Sequence, residues 1–371
     1  MVVGVPREIK SDEFRVGLTP ESVAALTARG HQVIVEAGAG SGIGAGDAAY
    51  VDAGATVAAT AAEVWRAATL VVKVKEPQPG ERRLMRAGQA LFTYLHLAGD
   101  RALTLDLLAS GATCIAYETV TDVNGRLPLL APMSEIAGRM SIQVGAHCLE
   151  MPQRGRGVLL AGATGVAPAQ VVILGAGVAG SNAARVAAGV GAGVTVLDRD
   201  AAALGRIAAQ FGSVVRCELS SQTVIERLVR GADLVVGAVL IPGDAAPRLI
   251  SRALLASMQP GAVIVDIAVD QGGCCETSRP TTHRDPSFIV DGIVHYCVAN
   301  MPGAVPRTST FALNHATLPC VLELADRGIT EALRRNPLLR TGLNLHAGQI
   351  THPGVARALG LHAFDASAVL G

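Results

Sequence analysis

The sequence predicts an α/β fold built from doubly wound parallel sheets, and three observations lead to it. Half of the 371 residues are hydrophobic but only 3% are aromatic. Strands then read as aliphatic runs, as in parallel sheets buried on both faces, whereas a sandwich would lean on aromatic, alternating strands. The aliphatic runs alternate with helix-forming stretches, the pattern of strand–helix–strand units. One run, VVILGAGVAG, passes straight into a glycine pattern that opens an alanine-rich helix.

The elements follow in order. Val2 to Val5 is a short strand, followed by a charged loop through Arg15. Thr19-Pro20-Glu21 has the marks of a helix start, with a Thr cap, Pro in the first turn and an acid at the positive end of the helix dipole. A strand over Gln32 to Glu36 and a glycine-rich loop come next. Leu70 to Val74, Ala90 to Leu95 and Cys114 to Tyr117 are buried strands that run into Lys75, His96 and Glu118. Ala131 to Glu135 reads as a loop feeding a helix, with Ser134 as its cap. Further strands fall at Gln170 to Leu174, Gly193 to Leu197, Asp233 to Val239, Ala262 to Ile267 and Gly292 to Val298. After Pro306 the chain turns helical, most clearly over Thr308 to Leu324, and the tail is expected to return to the first domain.

Bulk properties exclude several classes. Lys plus Arg (31) equals Asp plus Glu (31), so no basic patch or acidic tail points to nucleic acid. Gly157 to Ala184 carries no charge, but Pro168, Gln170 and its glycines fit a strand and a helix better than a membrane span. The start, MVVGVPREIKSDEF, lacks the layout of a signal peptide, and a cytoplasmic location is the default expectation. The seven cysteines form no C-x-x-C pair and read as buried, reduced thiols rather than disulfides or a metal site.

The strongest local motif is G-x-G-x-x-G at Gly175, Gly177 and Gly180. The first glycine permits a tight turn, the second admits a pyrophosphate against the backbone, and the third lets helix and strand pack closely. Amide groups at the helix start then face the phosphates. The next strand ends in Asp198, about 20 residues on, where a carboxylate accepts ribose hydroxyls and repels a 2′-phosphate. NAD is therefore expected over NADP. Arg199 points the other way and is read as a solvated surface charge. IVDIAVDQGG sets Asp266 at a strand end and Asp270 just beyond it, as loop-capping acids or as proton-handling groups near a nicotinamide. Arg15, Lys75, His96 and Glu118 also follow strand ends, where functional side chains of such sheets gather. The two cations suit a substrate carboxylate, and His96 suits acid–base work.

These segments, taken together and in order, resemble the bacterial L-alanine dehydrogenases, relatives of the amino-terminal part of proton-translocating transhydrogenase. REIKSDEFRVGLTPESV, VKVKEPQ, LFTYLHLAG, AYETV and LPLLAPMSEIAGRMS carry the likeness, as do GAGVAGSNAARVA, ADLVVGAVLIPG, VDIAVDQGGC, SRPTT and YCVANMPGAVPRTST. The resemblance implies two Rossmann-like domains, with an NAD domain (129–306) inserted into a discontinuous substrate domain (1–128 and 307–371). It implies Arg15 and Lys75 on the substrate's carboxylate and keto oxygen, and His96 and Asp270 as the acid–base pair. It further implies NAD contacts from Ser134, Val178, Asp198, Ser220, Val239, Leu240, Ile267, Ala268, Val269, Asp270, Arg279, Val298, Ala299, Asn300 and Met301. L-alanine, pyruvate and ammonia are the implied substrates, and a homohexamer the implied assembly. Two positions depart from relatives. Ala203 stands where a Lys joins the adenosine side, and Arg327 follows Glu323 where some members pair Glu with His around magnesium, so no metal is expected.

Two rivals keep the dinucleotide motif. A transhydrogenase-type NAD(H)-binding subunit would need membrane partners, and a catalytically silent NAD-binding sensor would be marked by loss of His96, Lys75 or Asp270. All three are present.

Overall fold

The computed structural model describes residues 1–239 and 246–371. Six strands come first: β1 (Val2–Val5), β2 (Gln32–Glu36), β3 (Thr56–Ala58), β4 (Leu70–Val72), β5 (Ala90–Thr93) and β6 (Thr113–Ala116). Seven follow: β7 (Gln170–Leu174), β8 (Gly193–Asp198), β9 (Val215–Leu219), β10 (Leu234–Gly237), β11 (Val263–Asp266), β12 (Ser287–Val290) and β13 (Ile293–Tyr296). The last two are β14 (Leu343–His346) and β15 (Gln349–Ile350). The chain divides into two compact units, Met1–Met133 with Gly303–Gly371, and Ser134–Pro302.

In the first unit the sheet order is β15-β14-β6-β5-β4-β1-β2-β3. β1 to β6 are parallel throughout, while β14 runs antiparallel to β6 and β15 antiparallel to β14. The tail therefore returns and extends this sheet by two strands, an antiparallel edge that periodicity did not indicate. The chain reverses direction across the sheet between β1 and β4, and the ends of strands at such a switch point make a crevice. Apolar side chains close the layers: Trp65, Leu91, Leu103, Leu107 and Leu345 are all buried in one cluster.

Thr19 caps the helix Pro20–Thr27, its hydroxyl accepting the Ser22 N–H at 3.2 Å, as the sequence predicts. Asn314, on the long helix Pro306–Arg327, accepts the Thr19 N–H at 2.8 Å and the Ser22 hydroxyl at 2.8 Å. That helix begins at Pro306, two residues earlier than its clearest sequence signal, because Pro is tolerated in a first turn.

The second unit has the order β12-β13-β11-β10-β7-β8-β9, with every pair parallel except β12–β13. Its switch point lies between β7 and β10. Ile225, Val229, Val235, Leu255 and Ile264 are buried in one cluster. β12 and β13 form a hairpin whose turn, Asp291-Gly292, has φ of 49° and 81°. An Asp-Gly pair is the usual signature of such a turn, which makes this edge a hairpin and not a strand–helix unit. The uncharged run Gly157–Ala184 contains β7 and the start of the helix Val178–Gly189. Among the described residues no helix is long and apolar enough to cross a membrane.

One local expectation is corrected. The helix runs Ala131–Cys148, so Ser134 lies inside it and is not its cap. Pro132 sits in the first turn, where its missing N–H costs no hydrogen bond.

Candidate active site

In the first unit the charged side chains gather beyond β1, β4, β5 and β6. Arg15 is 2% exposed, and its guanidinium forks onto Glu13, Nε donating to Oε1 at 2.7 Å and Nη2 to Oε2 at 2.5 Å. Nη1 lies outside the fork, 3.0 Å from the Met133 sulfur. Burial works against the Arg15 charge, but the Glu13 carboxylate outweighs it and raises the guanidinium pKa further. Glu13 was not singled out from the sequence, because a neighbouring acid carries no sign of pairing until the loop is folded.

Lys75 is 8% exposed and sits just past β4. Its N–H donates to Glu8 Oε1 at 3.3 Å, and its carbonyl accepts the Thr93 hydroxyl at 3.0 Å. Beside it, Glu76 pairs with Lys10. Burial pushes the Glu76 carboxyl up, but the Lys10 ammonium overrides this and holds it below its usual range.

His96 follows β5 with φ 50°, a left-handed conformation uncommon outside glycine. Glu118 stabilises it, accepting the His96 N–H at 2.6 Å and the Leu95 N–H at 3.2 Å. The imidazole is half exposed, with Nδ1 4.0 Å from Glu118 Oε1, and it stacks on Tyr94 with ring centroids 6.0 Å apart. Tyr94 is buried, donates to the Leu129 carbonyl at 2.6 Å, and has its phenol pushed up by burial, so it stays protonated. Arg15 acts electrostatically on Tyr94 and Glu8, and Glu8 binds the Lys75 amide. Arg15, Lys75 and His96 thus belong to one connected patch.

In the second unit the three glycines do different work. Gly175 has φ 111°, and a Cβ there would meet the Ala238 carbonyl oxygen at 2.5 Å. A Cβ on Gly180 would meet the Gly175 oxygen at 1.8 Å, while one on Gly177 would meet nothing within 4 Å. The first and third are demanded by packing; the second faces open space at the start of the helix Val178–Gly189, where a bound anion would approach the amides. This geometry fits a dinucleotide pyrophosphate.

Asp198 ends β8 and ties the turn together. Its Oδ2 accepts the Ala176 N–H at 2.6 Å and its Oδ1 the Asp200 N–H at 2.9 Å, while its carbonyl accepts the Ser220 N–H at 2.9 Å. Arg199 is exposed and has no ion-pair partner among the described residues. Val178 is exposed at the helix start and Val239 is half-buried after β10. Leu240 lies outside the described residues. Asp266 is fully buried and accepts from the Ala268 N–H (3.0 Å), the Cys274 N–H (2.8 Å) and the Ser278 hydroxyl (2.6 Å). It is a loop-organising acid. The loop it holds, Ile267, Ala268 and Val269 included, presents Asp270 exposed. Val298 and Met301 are buried, Ala299 and Asn300 half-buried, and Asn300 has φ 65°. Arg279 is exposed, its guanidinium 4.1 Å above the Phe288 ring. Ser134 and Arg279 make none of the contacts that join the glycine turn to Asp198 and Ser220.

The cysteines are all free, and burial pushes the thiols of Cys114 and Cys297 up to about 12 and those of Cys148 and Cys320 to about 11. They are poor nucleophiles. Glu323 is engaged by Asn336 at 2.7 Å and by Arg327 at 3.7 Å. Among the described residues no cluster of three or more His, Cys, Asp or Glu could hold a metal ion.

The model of the alanine dehydrogenase/PNT N-terminal domain matches residues 4–137, and that of the C-terminal domain matches residues 141–353. The alanine dehydrogenase of Halomonas elongata is 54% identical over 371 residues, covering 100% of both chains. A solved L-alanine dehydrogenase superposes with a TM-score of 0.93 at 52% identity, covering 97% of this chain and 99% of that one. A transhydrogenase from Sinorhizobium meliloti follows at TM-score 0.80 and 26% identity, covering 95% and 99%. Together with the two switch-point sites, these matches show that the chain belongs to the alanine dehydrogenase/PNT family.

Proposed function

We propose that the chain catalyses the reversible, NAD-dependent oxidative deamination of L-alanine. In the forward direction L-alanine, NAD and water give pyruvate, ammonium, NADH and a proton. The observation that carries this reading is the end-to-end 54% identity to an alanine dehydrogenase, with Arg15, Lys75, His96 and Asp270 all in place. The transhydrogenase likeness, at 26% identity, is the weaker of the two.

The first unit takes the substrate and the second the cofactor in this reading. NAD supplies a hydride acceptor for the Cα hydrogen. Gly175, Gly177 and Val178 receive its pyrophosphate and Asp198 its ribose diol. Ser134, Ser220, Val239, Leu240, Ile267 to Val269, Arg279 and Val298 to Met301 are proposed to surround the rest of it. Lys75 holds the substrate's keto oxygen and carboxylate. Arg15, its charge balanced by Glu13, joins Lys75 in binding the carboxylate. Water adds to the imine left by oxidation; His96 and Asp270 move the protons as ammonia departs. The half-exposed imidazole, carried on a loop fixed by Glu118, supports this role for His96. The family resemblance supports a cytoplasmic homohexamer.

The test is a spectrophotometric screen of L-amino acids with NAD, and of 2-keto acids with ammonia and NADH. L-alanine and pyruvate are expected to give the highest kcat/KM, with His96→Ala and Asp270→Asn each lowering kcat at least about a hundredfold. Folded, NAD-binding protein that turns over no small amino acid would overturn the reading.

A further inference from the structure

A buried ion cluster lies directly behind Lys75. The Lys73 ammonium pairs with Glu8 at 3.0 Å and with Glu81 at 2.8 Å, and all three side chains are 3% exposed or less. Such clusters are a poor source of stability, because each ion gives up its water and packed apolar groups often do as well or better. Two carboxylates against one ammonium also leave a negative charge in excess. Backbone amides answer it: Glu8 Oε1 accepts the Val74 N–H at 2.6 Å and the Lys75 N–H at 3.3 Å.

The strand β4 has ended at Val72, so Val74 and Lys75 lie beyond its regular ladder. Side chains and one neighbouring amide hold them instead. The Tyr117 hydroxyl donates to the Lys73 carbonyl at 3.0 Å, the Tyr94 N–H to the Val74 carbonyl at 3.2 Å, and the Thr93 hydroxyl to the Lys75 carbonyl at 3.0 Å. Glu8 alone of these reaches both N–H groups, and Lys73 fixes its other oxygen.

We propose that Glu8, locked by Lys73 and Glu81, is a positioning residue that sets the backbone at Val74 and Lys75 and so aims the Lys75 ammonium at the substrate. The inference rests on the proposed role of Lys75 in holding the keto acid. Its mark is energetic coupling: Glu8 matters to pyruvate only while Lys75 is there to be aimed.

The experiment is a double-mutant cycle on the full chain with saturating NAD, reading pyruvate Kd by calorimetry and NAD Kd separately. Glu8→Gln is expected to weaken pyruvate binding about tenfold and to leave NAD affinity within about twofold. In the Lys75→Met background the same change is expected to alter pyruvate Kd by less than about twofold. Equal losses in both backgrounds would mean that Glu8 acts by another route, and the proposal would fall while Lys75 kept its role. Normal pyruvate affinity in Lys75→Met would remove Lys75 from the substrate, and the proposal with it. Should Glu8→Gln not fold, Glu8→Asp replaces it, keeping the charge but withdrawing the carboxylate by one methylene. Unchanged pyruvate affinity in Glu8→Asp would then overturn the idea.

Discussion

At the scale of single residues, acids do much of the positioning. Glu118 holds the amides before and at His96, Asp266 clamps the loop that carries Asp270, and Asp198 holds the glycine turn. Asp198 has two consequences for cofactor choice. A 2′-phosphate beside its carboxylate would meet a like charge at close range, so NAD is expected to be preferred. The same carboxylate supports the Ala176 amide, so its loss also loosens the turn. Asp198→Gly is therefore expected to lower kcat/KM with NAD and to raise the NADP-to-NAD ratio by at least about tenfold, with exposed Arg199 available to the phosphate. Kinetics with both cofactors check this. A wild type that uses the two equally, or a variant with an unchanged ratio, would show that Asp198 does not govern the choice.

At the scale of elements, glycines decide how closely helices approach. Gly138, inside the helix Ala131–Cys148, would place a Cβ 2.1 Å from the Ala179 carbonyl oxygen of the helix Val178–Gly189. Gly205, inside the helix Ala201–Phe211, has nothing within 4 Å of such an atom. Alanine is normally worth about 1 kcal/mol over glycine in a helix interior. Gly205→Ala is expected to stabilise by about 0.5–1 kcal/mol. Gly138→Ala is expected to destabilise by about 1–3 kcal/mol, since backbone must move to admit the methyl. Urea titrations of the two variants give the signs. Stabilisation by both would mean that the helix contact at Gly138 is looser than the structure has it.

At the scale of the whole molecule, one buried and two half-buried histidines tie stability to pH. The His295 imidazole is buried between the Ile293 carbonyl (3.0 Å) and the Thr277 hydroxyl (2.8 Å), and burial lowers its pKa below the ordinary 6.5. Burial lowers His346 and His352 in the same way. The unfolded chain binds these protons near 6.5, whereas the folded chain binds them only at lower pH. Their contribution is thus complete above 6.5 and is lost progressively as pH falls below it. Glu8, raised by burial, works in the opposite direction, so the histidine share is read from the difference between the wild type and His295→Asn. The urea midpoint is expected to fall between pH 7.5 and 5.5, and by less in His295→Asn. A midpoint that holds or rises would contradict the assignment.

Much of this was legible in the residues themselves. Aliphatic runs located most strands because a parallel strand buried on both faces needs nothing else, and Thr19-Pro20-Glu21 marked a helix start that is local chemistry. The spacing of Gly175, Gly177 and Gly180 before Asp198 marked the strand-to-helix turn, although only Gly180 answers a neighbour a few residues away, while Gly175 answers the distant Ala238 carbonyl and Gly177 faces open space. The turn at Asp291-Gly292 is also local. What the residues could not declare were partners far apart in the chain. The fork of Arg15 on Glu13 depends on how one loop folds, and the bond from Asn314 to Thr19 spans most of the chain. The antiparallel edge made by β14 and β15 and the burial of Lys73 between Glu8 and Glu81 are of the same kind. Periodicity and turn chemistry report a residue's own neighbourhood, whereas ion pairing and edge pairing are set only when tertiary packing brings distant groups together and takes the water away from them.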